Sequence, residues 1–302
     1  MWVTLAVAAA CLQTGRNALA RSLAGTVSPA LNSWSRFAFN LPFSSLLVGF
    51  LVWRGGMPAS SWTFYAFCLA TALTQLGGNV ALVAAFRRAN FAQSIVLHKF
   101  EVAFAALVGA AFFGEMPSAW GWSGVGACAA GVLLMNLGRG AGPEGWRRAF
   151  HLDAGALLAL LCAFLLVLAG FALKAATAEF ARTNPWVGDG RFEAAAHTLF
   201  HTTWMEVAVL SAWLLATDRR AFVPVRQHGA RMLAIGFTGF CGSLCWFWSY
   251  SLALVAYVKA VGQVESVLAV VLGLVVWRER EVWRQLPGVA LVLAGIGLVL
   301  LG

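Results

Sequence analysis

The chain has 302 residues, of which 61% are hydrophobic and 11% charged, with a mean hydropathy of +0.78 and a formal net charge of +9. A soluble domain carries about 25% charged residues, so a chain of this composition has too few to cover a water-facing surface of its own size. The surplus arginines fall in short stretches between apolar runs, which is a membrane-topology pattern and not a nucleic-acid footprint.

Apolar runs long enough for a ~30 Å hydrocarbon core recur from end to end. Inside lipid such runs must be helical, because each backbone polar group has to find its partner within the segment. The alternating polarity of a transmembrane barrel is absent. In chain order, spans are predicted near 2–23, 28–53, 62–86, 91–113, 118–137, 154–178, 194–216, 232–252, 256–277 and 285–301. The first has no basic leader and no small-residue cleavage site, so it reads as a span and not as a signal peptide. Tryptophans gather near the predicted ends (Trp53, Trp62, Trp120, Trp122, Trp146, Trp186, Trp277, Trp283), as an interfacial belt requires. The cysteines Cys11, Cys68, Cys128, Cys162, Cys241 and Cys245 all lie within apolar runs and read as small packing residues.

Sliding residues 70–134 forward by 164 without a gap gives 14 identities in 65 positions. Alanine matches carry little weight in such a composition. The pairs Glu101/Glu265, Glu115/Glu279, Gly78/Gly242, Gly109/Gly273, Gly124/Gly288 and Gly131/Gly295 carry more, since glutamate is scarce. The expected fold is therefore an all-α membrane protein with ten transmembrane helices as two inverted five-helix repeats: 1–137, a cytoplasmic linker 138–153, and 154–302. Five helices per half is odd, so the second half enters the bilayer from the opposite side, an architecture that recurs in secondary transporters.

The stretch Asn90-Phe-Ala-Gln-Ser-Ile-Val-Leu-His-Lys-Phe-Glu101, running on to Gly114-Glu115, resembles the fourth helix of EamA-type transporters of the drug/metabolite transporter (DMT) superfamily. There a Gly-Glu pair closes the helix and a glycine-rich fifth helix follows, here Gly124 to Gly131. The second copy, Ala256 to Glu279, is similar but has Arg278 in place of the glycine. Thr14-Gly15-Arg16-Asn17 and Ser35-Arg36-Phe37 resemble the first and second helices of the family. The resemblance implies a secondary transporter and specifies no substrate.

Charge sets an expected orientation. With loops assigned alternately to two sides, one side holds 13 basic residues (Arg21, Arg87, Arg88, Arg139, Arg147, Arg148, Arg219, Arg220, Arg226, Arg231, Arg278, Arg280, Arg284) and the other 4 (Arg54, Arg182, Arg191, Lys259). The richer side is read as cytoplasmic, with both termini periplasmic in a bacterial inner membrane. Familiar DMT members have both termini inside, so this is a departure.

An unpaired charge at a helix centre costs at least about 2.5–3.5 kcal/mol, which makes intramembrane charge the shortlist for a site. Glu101 and Glu265 are equivalent under the repeat and are expected to face one another across a central cavity. Two carboxylates in a dry cavity resist ionising together, which suits proton coupling; each could instead be buried against a lysine or hydroxyl for packing alone. His98, Lys99, Arg16, Arg36 and Lys174 supply basic groups, and the counterpart of Lys99 in the repeat is the neutral Gln263. Gln13, Asn17 and Arg21 form an i, i+4, i+8 stripe on the first helix, expected to face protein or water. Glu193, His197 and His201 have zinc-ligand spacing, but sit near a membrane boundary where a hydrogen-bonding face or a cavity rim is the competing reading. Glu115 and Glu279 close their helices and read as structural, bonding a neighbouring helix end.

No Walker A sequence occurs and no loop is long enough for a catalytic domain, so no enzymatic activity and no cofactor are expected. The sequence predicts a monomeric secondary transporter in the lipid bilayer. It would move a small polar or zwitterionic metabolite by alternating access, coupled to protons or by exchange. The alternative is a lipid or lipid-linked-sugar translocase on the same fold, using the basic residues Arg87, Arg88, Arg147 and Arg148.

Overall fold

The computed structural model describes residues 1–21, 23, 26–88, 97–137, 153–217, 222–275 and 280–302. Among these the regular elements are helical: α1 Trp2–Arg21, α2 Pro29–Ala38, α3 Leu41–Gly55, α4 Trp62–Arg88, α5 Glu101–Phe112, α6 Ala119–Leu137, α7 Ala154–Thr183, α8 Phe192–Thr217, α9 Val225–Leu252, α10 Val255–Gly262, α11 Val264–Val275 and α12 Leu286–Leu301. Short 3₁₀ turns lie at Pro185–Val187 and Arg280–Gln285.

Helix starts follow local chemistry. Ser28, Ser61, Ser118 and Asp153 each accept a hydrogen bond from the amide three residues on, with Leu31 N at 3.2 Å, Phe64 N at 3.1 Å, Gly121 N at 3.0 Å and Ala156 N at 2.7 Å. Each fills one of the orphan donors a helix N-terminus leaves. The expected span 28–53 is split into α2 and α3 at Phe39–Asn40. The cause is Pro42, which has no N–H to return to Ala38 and whose ring crowds that carbonyl. The expected span 256–277 is likewise interrupted at Gln263, whose amide reaches back only three residues to Ala260 O at 3.1 Å. In the equivalent stretch of the first half, Phe100 N bonds Leu97 O at 3.2 Å and α5 restarts at Glu101.

Six stretches among the described residues are long and apolar enough to cross a membrane: Pro29–Gly55, Trp62–Ala85, Ala154–Thr183, Phe192–Thr217, Val225–Leu252 and Trp283–Leu301. Trp2–Arg21 falls outside this set although it has helical length, since it carries Gln13, Arg16, Asn17 and Arg21. Residues 91–96 of the fourth expected span, most of the linker 138–153, and the Arg278–Glu279 motif lie outside the described residues.

The chain divides into two compact units, each drawing on both sequence halves: Met1–Leu73 with Ala172–Leu252, and Thr74–Phe171 with Ala253–Gly302. In the first unit α1 packs antiparallel on α9. Ser249 Oγ donates to Trp2 O (3.0 Å) and Trp246 Nε1 to Gln13 Oε1 (3.1 Å), while Gly242 lies against Ala9 and Leu12. Leu23, Leu31, Met232 and Ile235 form one apolar core there, edged by Trp34 and Phe39. Phe64, Cys68, Ala176, Phe180, Val187 and Ala194 form another. Asn184 ties the loop ahead of α4, accepting from Ala59 N (2.9 Å) and donating to Ala59 O (2.8 Å).

In the second unit α6 and α12 pack antiparallel through glycine. A methyl added at Gly124 would lie 2.6 Å from Gly295 O, one at Gly131 2.7 Å from Val292 N, one at Gly288 2.5 Å from Gly131 O, and one at Gly295 2.6 Å from Cys128 N. Only residues without a Cβ let two backbones come this close, as at tightly packed membrane helix pairs. The contact is reciprocal: Gly124 meets Gly295 and Gly131 meets Gly288, the same four glycines that the 164-residue offset matches as Gly124/Gly288 and Gly131/Gly295.

Candidate functional site

The second unit holds a buried charge cluster built on the helix interruptions. α10 is buried along its whole length. Its first amide, Val255 N, donates to Glu115 Oε2 at 2.8 Å, so Glu115 caps α10 from outside that helix. Glu115 is itself positioned by the end of α5. Gly114 adopts φ +66°, a left-handed conformation that glycine enters without penalty, and Glu115 N then closes on Gly109 O at 3.0 Å. The Gly-Glu pair therefore has a physical role in this chain: the glycine turns the backbone and the glutamate fastens the start of the next buried helix. Tyr257, one turn into α10, accepts from Ser118 N at 3.1 Å.

With α10 anchored, Lys259 Nζ lies 2.8 Å from Glu101 Oε2, the side chains being 8% and 13% exposed. Lys259 was counted above as a loop charge. The structure corrects this: it is an interior helical residue and the direct partner of Glu101. Removing it takes the poorer side of the charge count from four to three. Glu101 opens α5, where the helix dipole also favours a carboxylate. His98 lies within electrostatic reach of both Glu101 and Lys259, and its Nδ1 is 3.4 Å from Cys162 Sγ. Lys99 sits at the turn before α5 and is half-buried. Gln263 is buried at the matching interruption, with Nε2 3.3 Å from Lys259 O and no donor to Oε1 among the described residues. Glu265 is half-buried in the first turn of α11.

The remaining expected residues belong to the first unit. Arg16 is buried on α1 and donates to Asn17 Oδ1 at 3.3 Å. Arg16 Cδ and Arg36 O both lie 3.6 Å from where a methyl on Gly239 would sit, so the two arginines share a niche beside α9. Arg36 also lies 5.0 Å from the centre of the Phe37 ring. Gln13 is engaged by Trp246, Lys174 is half-buried on α7, and the side chain of Arg21 is outside the described residues. The Glu193/His197/His201 stripe splits by role. Glu193 pairs with Arg54 (3.2 Å), His197 stacks on Phe180, and His201 meets Phe64 and Tyr65 edge-on. No metal-binding group of three is present among the described residues.

Glu206, outside the expected set, lies at the middle of α8 and is 2% exposed. The rule that selected Glu101 selects it too, since it is the only Asp, Glu, Lys or Arg in the predicted span 194–216.

The fold defines the class: an all-helical chain with six stretches, among the described residues, long and apolar enough to cross a membrane. Residues 1–137 match the EamA-like transporter family, in agreement with the resemblance drawn from residues 90–115. A solved structure titled only "Crystal structure of protein" is similar with a TM-score of 0.66 at 19% identity, over 98% of this chain and 95% of that one. At that identity the likeness concerns the fold. No curated protein matches the sequence.

Proposed function

We propose that this chain is a secondary active transporter that moves a small polar or zwitterionic metabolite across a bacterial inner membrane by alternating access, coupled to protons or by exchange. The observation that carries the reading is the Glu101–Lys259 pair, an ion pair buried in an apolar protein and set at a helix interruption. A buried pair adds little net stability over an apolar filling, so stability alone is a weak reason to keep one. A zwitterion can exchange with it at no net charge, its ammonium taking Glu101 and its carboxylate taking Lys259. Gln263 Oε1 offers a further buried acceptor. Glu265, Lys99 and His98 complete the polar cluster of the second unit; within the first unit Arg16, Arg36, Asn17, Gln13 and Lys174 are the residues proposed to bind substrate or ion.

The ten-span inverted repeat belongs to the same proposal. Its support is the antiparallel packing of α6 and α12, equivalent under the offset, together with their reciprocal glycine contacts. The repeat halves 1–137 and 154–302 are then units of sequence, while the compact units are units of packing. Periplasmic termini follow from the basic-residue imbalance. The lipid-translocase alternative rests on Arg87, Arg88, Arg147 and Arg148, whose side chains lie outside the described residues.

The test is a thermal-stability screen of the purified protein against amino acids, organic acids, nucleobases and lipids, followed by uptake of each stabilising compound into proteoliposomes. A stabilising zwitterion that is taken up supports the proposal. Stabilisation and movement of lipid alone refutes it in favour of the translocase.

A further inference from the structure

Glu206 is the deepest carboxylate among the described residues and belongs to no part of the cluster around Glu101. It stands at the middle of the 26-residue helix α8, 2% exposed, and its Oε1 receives no hydrogen bond from any described residue. An ionised carboxylate with an oxygen lacking a donor is costly in so apolar a place. Arg36 of α2 is the charged group that acts on it. Of the other helices packed on α8, α3 has no Asp, Glu, Lys, Arg or His from 41 to 53, and α9 has none from 232 to 252, where Cys241, Cys245 and Tyr250 are the ionisable groups. α4 sets Cys68 against Thr202, one turn before Glu206, and Tyr65 against His201. α7, packed through Phe180 on His197, carries Lys174 and Glu179, the latter held by Arg182 and Ser61. Arg16 of α1 shares with Arg36 the niche beside Gly239. On α8 itself Glu193, His197 and His201 lie one or more turns away, engaged by Arg54, Phe180 and Phe64.

From this geometry we propose that Glu206 is a proton-binding site of the first unit that switches Arg36. The ionised carboxylate holds Arg36 by charge. Taking one proton converts it to the neutral acid, so the buried oxygen no longer carries charge without a donor and its pull on the Arg36 guanidinium is lost, letting Arg36 turn to an anionic group of the solute. One proton is taken up or released per switch, and no other bond changes. The inference rests on the transporter reading and names the coupling ion and its seat.

The test needs no substrate. The protein is reconstituted in liposomes on a solid support, and the charge displaced by a pH jump is recorded. Wild type and the same-helix control Glu193→Gln give a displacement, and Glu206→Gln loses it. Difference infrared spectra recorded over the same pH change show a protonated-carboxyl C=O band that is absent in Glu206→Gln and moved in Glu206→Asp. A wild-type displacement in monodisperse Glu206→Gln, or none in wild type, overturns the proposal. If Glu206→Gln does not fold, the Glu206→Asp spectrum decides, an unmoved band being fatal. Failure to find any transported solute would leave this readout standing, so the two ideas fail separately.

Discussion

Replacing Lys259 by methionine keeps the length of the side chain and removes its charge. Glu101 then loses a 2.8 Å bond while staying largely buried, its side chain 13% exposed. Removing one partner of a buried pair costs about 3–5 kcal/mol because the other charge is left uncompensated. The lower end, ~3 kcal/mol, is expected here, since the N-terminal dipole of α5 still favours the carboxylate by ~0.3–1 kcal/mol. Glu101→Gln alone strands the lysine and should cost a similar amount. The double variant Glu101→Gln/Lys259→Met strands neither and should lie within about 1.5 kcal/mol of wild type, so the cycle shows a coupling of ~2–3 kcal/mol. The assay is reversible unfolding in mixed micelles by increasing SDS fraction, followed by tryptophan fluorescence. Two single variants each within about 0.5 kcal/mol of wild type, with additive effects, would refute the placement of this pair in the interior.

The other expectations concern packing and topology. Gly131→Ala and Gly295→Ala place a methyl against backbone of the facing helix and should destabilise by about 1–3 kcal/mol, the range for overpacking. Gly126→Ala, which meets open space, should be neutral or slightly stabilising in the same SDS titration. Glu115→Ala removes the cap of α10 and should cost about 1 kcal/mol, with faster hydrogen exchange at Val255 than in wild type; unchanged exchange would count against the cap. Arg54→Ala, at a pair whose arginine is 63% exposed, should change stability by less than about 1 kcal/mol. A reporter fused at Gly302 should be active in the periplasm, and one active only in the cytoplasm would sink the orientation.

What the sequence made legible was set by long-range pattern. Hydropathy marked the apolar stretches, six of which are long enough to span a membrane among the described residues, and the offset of 164 singled out the glycines that join α6 to α12, because a backbone contact accepts one residue type only. The role of Glu115 at a neighbouring helix end was also legible through the resemblance, in which a Gly-Glu pair closes this helix; the left-handed turn at Gly114 is seen only in the structure. Lys259 was misjudged for a specific reason. A charge one turn from a helix start is ordinarily counted with the loop, but α10 is buried along its whole length, is capped by Glu115 and pairs its lysine with Glu101. The α2–α3 break was written in Pro42, and the continuous apolar run hid it. The pairing of Glu101 with Lys259 joins residues 158 apart and has no local signature. Glu206 has no counterpart in the matched repeat segment, so a search led by the repeat could not reach it.

The central claim is tested most directly by uptake into proteoliposomes of the compound that most stabilises the purified protein. Wild type is compared with Glu101→Gln/Glu265→Gln at equal amounts of monodisperse, reconstituted protein. The account predicts saturable uptake by wild type and none by the double variant. Uptake at the wild-type rate by the double variant would contradict it.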